Sequence, residues 1–158
     1  MLDCEKVGSA SVQSTALRAL FYISESRIRG GEECAELAKL VEAAKQKNEA
    51  LAITGALISS SHRFAQYIEG PAAAVHSLVA SIAADARHEN MLIAYDQLVP
   101  ERQFGQWSLA YNGTSLYMWK HLEAIATSSG SGRQHHVIRA IRLIVGLAEP
   151  SPRVSLFR

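Results

Sequence analysis

The stretch HRFAQYIEGP, residues 62–71, reads as a β-strand that ends at a Gly-Pro stop. Strand side chains alternate between faces, so Phe64, Gln66 and Ile68 share one side. An uncharged amide thus sits between two large apolar neighbours, on the face that meets the core. Burying it without a hydrogen-bond partner costs on the order of 2 kcal/mol or more, so something must answer it.

Just upstream, LAITGALISS (51–60) is a second short apolar strand, and Ser60, Ser61 and His62 join the two as an antiparallel hairpin. LRALFYISES (17–26) is a further strand, with Leu20, Tyr22 and Ser24 on one face and Ala19, Phe21 and Ile23 on the other. Between them, residues 32–48 turn helical: Leu37, Leu40, Val41, Ala44 and Asn48 fall along one stripe, and Asn48 closes it. PAAAVHSLVASIAADARH (71–88) gives a second helix with Pro71 at its first turn. MLIAYDQLV (91–99) is a fourth strand, followed by a polar PERQFGQ loop and a short fifth strand, WSLAYNG (107–113). The order β-α-β-β-α-β-β predicts the α+β class and a ferredoxin-like sandwich. Its one mixed five-stranded sheet carries both helices on one face, with the first and third strands side by side at the centre.

The organisation expected is a flexible leader (1–15), a compact domain (16–113), a C-terminal helical cap (114–148) and a tail (149–158). In the cap, SLYMWKHLEAIA and QHHVIRAIRLIVGLA read as helices joined by a flexible TSSGSGR linker. Too small to fold alone, it is expected to pack on the open sheet face or on a partner subunit.

Composition excludes several classes. The 158 residues, 48% hydrophobic, suit one domain with appendages. With 16 basic and 15 acidic residues, the net charge of +1 leaves no electrostatic footprint for nucleic acid or an anionic membrane. The start lacks an apolar targeting region and no run approaches the roughly 18 apolar residues of a membrane span, so a cytoplasmic protein is expected. Cys4 and Cys34 lie far apart and imply neither a disulfide framework nor a zinc site. His135 and His136 diverge by about 100° on a helix, a poor metal pair, and no metal is expected. No phosphate-binding loop, nucleophile elbow or zinc-protease motif occurs. Gly55 in ITGAL is read as close backbone packing in a strand.

Gln66, Asn48 and Tyr22, all uncharged hydrogen-bonding groups, converge between one helix end and two central strands. They could pair with one another. The alternative is a bound ligand with an apolar planar body and a polar edge, the shape of a flavin ring.

Residues 17 to about 113 resemble a BLUF domain, the flavin-binding blue-light sensor family. The resemblance is carried by LFYIS (20–24), KNEALAITGALI (47–58), RFAQYIEGP (63–71), DARH (85–88) and RQFGQWSLAYNG (102–113), in the family's order. It implies bound FAD, with FMN or riboflavin as alternatives. Tyr22 matches the family's electron-donating tyrosine, Gln66 its switching glutamine and Asn48 the asparagine that holds the ring's polar edge. Ile82 would flank the ring, and Arg87 and His88 fall on the family's Arg-His pair near the pyrimidine side or polar tail. Trp107 and Leu109 would relay the signal along the fifth strand. As plain residues, Arg87 could instead pair with Asp85 or Glu89, and His88 could be structural. A protein of this kind is not an enzyme; it is expected to signal through a separate partner protein, as a homo-oligomer, with the cap as output surface.

The sequence departs from the pattern where the family often carries methionine and this chain has Leu109, which has no sulfur to accept a hydrogen bond. It also has Ser81 where some members place a basic side chain, and Lys47 precedes Asn48 at a variable position. Two rivals use the same frame. One is a small acyl-phosphate hydrolase, although SESRIRGGEE lacks the spacing of its phosphate loop; the other is a ligand-free interaction module whose buried amides simply pair.

Overall fold

The computed structural model describes residues 16–28, 33–60, 62–105, 110–114 and 116–148. The leader, the tail, Trp107 and Leu109 lie outside the described residues. The elements are β1 (Leu17–Ser26), α1 (Glu33–Ala50), β2 (Thr54–Ser60), β3 (Arg63–Pro71), α2 (Ala72–Ala83), β4 (His88–Val99), β5 (Ala110–Thr114), α3 (Leu116–Thr127) and α4 (Gly130–Ala148).

The five strands form one sheet in the order β4-β1-β3-β2-β5. The first four pair antiparallel, and β5 adds to β2 in parallel, so the sheet is mixed and β1 and β3 lie adjacent within it. This is the expected α+β frame. Alternation in β1 sends Leu20, Tyr22 and Ser24 to one face and Ala19, Phe21 and Ile23 to the other, and all six are buried because both faces are covered. On the first face Leu20, Tyr22, Ile53 and Ile68 pack with Val75, Leu78 and Val79 of α2. Beside them Leu37 and Val41 of α1 pack on Leu57 and Phe64.

The opposite face receives the cap. Phe21, Ile23, Ile58 and Tyr67 pack against Met118, Leu122 and Ile125 of α3 and Val137, Ala140 and Ile144 of α4. Repeats of three and four residues in both helices line up these apolar positions, and burial against the sheet supplies what a 35-residue helical pair lacks by itself. The linker is shorter than the sequence suggests. Helix α4 begins at Gly130, leaving only Ser128 and Ser129 between the helices, and Gly130 takes φ +55° at the corner.

Other boundaries move as well, β2 beginning at Thr54, three residues after its expected start. Helix α2 stops at Ala83, and β4 begins at His88, three residues before the expected start. The long partner β1 draws those residues into the ladder, pairing Glu25 with Glu89 and Ser26 with His88. The register shifts between Ile23 and Glu25, and Asn90, at φ +50°, absorbs a local irregularity that asparagine tolerates better than most residues. Gly55 behaves as its sequence context suggests: at φ +156°, a Cβ there would lie 2.0 Å from the Tyr67 carbonyl oxygen. Among the described residues no helix is long and apolar enough to cross a membrane.

Candidate functional site

A cavity of about 210 Å³ opens between α1 and α2 above the sheet. Its floor comes from the strands: Tyr22 of β1, Leu57 of β2 and Phe64 and Gln66 of β3. One wall is the last turns of α1, with Leu40, Ala43, Ala44, Lys47 and Asn48; the other is α2, with Leu78, Ser81 and Ile82. Asp85, Arg87 and His88, from the α2–β4 connection and the start of β4, close one end. Leu40, Ala44 and Asn48 share a wall because they are spaced by four on one helix face.

Tyr22 and Gln66 are register partners across the β1–β3 ladder, so their side chains leave the sheet on the same side at adjacent points. The Tyr22 hydroxyl donates to Gln66 Oε1 at 2.7 Å. The pairing expected of lone buried polar groups therefore exists, and the pair also lines the cavity. With its carbonyl turned to the phenol, the Gln66 amide keeps its NH₂ as an unspent donor at the opposite edge. Burial pushes the Tyr22 phenol well above its ordinary pKa, and the negative charge of Asp85 adds to the effect, so Tyr22 stays protonated and remains the donor. Asn48 is 1% exposed at the inner end of α1, and its backbone carbonyl accepts from Ile53 N–H at 2.8 Å, which fixes the helix end over the sheet.

His88 joins Ser24 in a 2.8 Å hydrogen bond between Nδ1 and Oγ, and its ring lies 5.0 Å from that of Phe64. Burial pushes its pKa down against the opposing pull of Asp85, which favours neutral imidazole at the cavity. Arg87 is engaged by Asp85, as one of the two plain alternatives requires: its Nε donates to Asp85 Oδ1 at 2.9 Å, and its backbone N–H also donates to Oδ1 at 2.9 Å. Glu89, the other acid weighed, pairs instead with Arg27. Arg87 holds the Asp85 carboxyl down at about 2. Ile82 presents an apolar side chain on the α2 wall. Of the eight residues singled out from sequence, six thus meet in one cavity, and the two relay positions, Trp107 and Leu109, lie outside the described residues.

Two features escaped the sequence reading. Phe64 and Leu40 were legible as core-facing positions and Leu57 as part of an apolar strand, but nothing local distinguishes a cavity wall from a filled core. Glu69 is the larger omission. Fully buried, its carboxylate accepts from Thr54 Oγ1 at 3.0 Å, Gln103 N–H at 2.8 Å and Phe104 N–H at 2.7 Å. Arg102 reinforces the junction, donating to Thr54 Oγ1 and to the carbonyls of Ala52 and Glu69. The strand bearing Gln66 is thereby tied to the loop that leads toward β5. An acidic residue just before a strand-ending Gly-Pro was the available signal.

The residues fit a flavin ring. Apolar side chains from two helices and the sheet flank a slot suited to a flat body, and Gln66 and Asn48 place amides at its inner end for a polar edge.

Comparison with known proteins agrees. A family model described as sensors of blue light using FAD matches residues 17–110. The photoactivated adenylate cyclase subunit beta of Euglena longa is 35% identical over 101 residues, covering 63% of this chain and 12% of that protein. The blue light- and temperature-regulated antirepressor BluF of Escherichia coli K12 is 31% identical over 90 residues, 57% of this chain and 22% of that one. The chain thus spans less than a quarter of either curated relative. The solved dark-state structure of BlrB, a BLUF protein, superposes with a TM-score of 0.67 at 28% identity, covering 82% of this chain and 97% of that one.

Proposed function

The chain belongs to the BLUF family of blue-light sensors using FAD, and on that premise we propose that it is a photosensor in which Tyr22 supplies an electron and a proton and Gln66 switches hydrogen bonds. The observation that carries this reading is the 2.7 Å bond from Tyr22 to Gln66 Oε1 in a cavity that Asn48 also lines. A photoexcited oxidised flavin is a strong oxidant. Tyr22 stands ready as a neutral phenol whose proton already points at an acceptor, so loss of its electron and transfer of its proton to the Gln66 carbonyl are geometrically coupled. Both return on recombination, so Tyr22 undergoes no net oxidation. What persists is the arrangement of Gln66, which carries a donor and an acceptor on one torsion and can present a different one to the ring afterwards. Asn48 and Ile82 hold and flank the ring.

The packing of the cap supports a finer division of roles within this reading. Residues 16–113 form the sensing unit and residues 114–148 the output surface, because the cap packs on the sheet face opposite the cavity and so shares strands with it. Signalling passes to a separate partner protein, from a homo-oligomer, through Trp107 and Leu109. In this reading the unit performs no catalysis of its own, and the family match favours the sensor over the hydrolase rival.

The spectrum of the purified protein tests the reading. It should be yellow, with oxidised-flavin absorption that shifts reversibly to the red under blue light. Protein that remains colourless when supplied with flavin would instead favour the module whose buried amides merely pair.

A further inference from the structure

We propose that Lys47, held by Ser81, makes the mouth of the cavity a phosphate-reading rim that selects flavins bearing a phosphate ester on the ribityl chain, FMN and FAD, over riboflavin. This rests on the flavin reading above and extends it to the part of the cofactor that the buried residues do not touch. The cavity is polarised along its length. Tyr22 and Asn48 are each 1% exposed and Gln66 6%, whereas Lys47, Ser81 and Arg87 line the same cavity from exposed positions. An apolar ring belongs at the buried end, so a hydroxylated tail leaves past the exposed one.

The charges at that rim favour an anion. Lys47, in the last turn of α1, donates from Nζ to Ser81 Oγ on α2 at 2.9 Å. This contact fixes the ammonium at the opening, and its partner is a neutral hydroxyl that leaves the full charge and two N–H donors for a ligand. Asp85 is the acid of this cavity, and its carboxylate is engaged by the Arg87 side chain and backbone N–H, so the pair largely cancels and the charge of Lys47 remains. A phosphate monoester arriving there meets one uncompensated ammonium and the Ser81 hydroxyl.

The test is equilibrium titration of cofactor-stripped protein with riboflavin, FMN and FAD, followed by quenching of flavin fluorescence at ~20 mM and ~1 M salt. The quantity read is the riboflavin-to-FMN ratio of dissociation constants. In the wild type it should be about fivefold at low salt and approach one at high salt, the scale and screening expected of an exposed ion pair. Lys47→Gln should bring the low-salt ratio to about one, and Lys47→Arg should restore it. Equal affinity for the three flavins in the wild type, or a ratio unchanged in Lys47→Gln, overturns the rim and leaves the sensor reading intact. Failure of all three flavins to bind overturns both.

Discussion

Tyr22 and Gln66 face each other across the two central strands as direct register partners, and the phenol donates to the amide carbonyl at 2.7 Å. The strand ladder, more than either side chain, fixes this contact. A one-residue slip of β3 against β1 would turn Gln66 to the cap side and leave Tyr22 facing an apolar residue.

Tyr22→Phe keeps the ring volume and removes only the hydroxyl. The variant should fold with a loss of about 1 kcal/mol in stability and still bind flavin. Its reversible red shift under blue light should vanish, which difference absorption spectroscopy would show. A wild-type-like shift would remove Tyr22 from the photochemistry.

Gln66→Leu takes away both the acceptor for Tyr22 and the donor for the ring. The dark spectrum should move to the blue of the wild type, and illumination should no longer produce the red-shifted form. Asn48→Ala should weaken flavin binding by about tenfold, the value of one buried hydrogen bond to the ring edge. Isothermal titration would measure that loss.

Glu69 anchors three donors. In Glu69→Leu the Thr54 hydroxyl and the amides of Gln103 and Phe104 lose their acceptor, a loss of about 3 kcal/mol in urea unfolding. Hydrogen exchange at the amides of residues 103 and 104 should accelerate with it. Unchanged protection there would mean that the loop is held by other contacts.

Gly55→Ala pushes a methyl group against the Tyr67 carbonyl at a backbone angle that alanine rarely adopts. Moving β2 away from β3 to relieve it should lower stability by about 2–3 kcal/mol. Flavin affinity should fall as well, because Leu57 on the same strand forms part of the cavity floor.

Asp85 provides a pH signature. Its folded pKa lies at about 2, below the ordinary 3.8, chiefly because the Arg87 side chain hydrogen-bonds to the carboxylate. A depressed carboxyl contributes stability that is fully present above the ordinary value and is lost as pH falls through about 2. The pair is largely solvated, so the contribution stays below about 1 kcal/mol. Carboxyl-carbon NMR titration should find the midpoint near 2 in the wild type and near the ordinary value in Arg87→Leu. His88, whose pKa is lowered by burial, should separately begin to cost stability as pH drops below its ordinary 6.5. His88→Gln should flatten that part of the profile.

Alternation in LRALFYISES and RFAQYIEGP determined which side chains share a face, and the spacing of three and four placed Asn48 under Leu40 and Ala44. These periods are local, fixed by backbone geometry within a few residues, so Tyr22, Gln66 and Asn48 could be grouped without coordinates. Tertiary structure decided what locality cannot: that α1 and α2 stand apart over the sheet to leave a cavity, that Arg27, 62 positions away, takes Glu89, and that Lys47 meets Ser81 34 positions along the chain. The start of β4 at His88 and the role of Glu69 belong to the same class, since each depends on a partner strand or loop distant in sequence. A hydrogen bond across such a separation leaves no periodic trace, because its two ends are chosen by how the layers pack and not by the order of neighbouring residues.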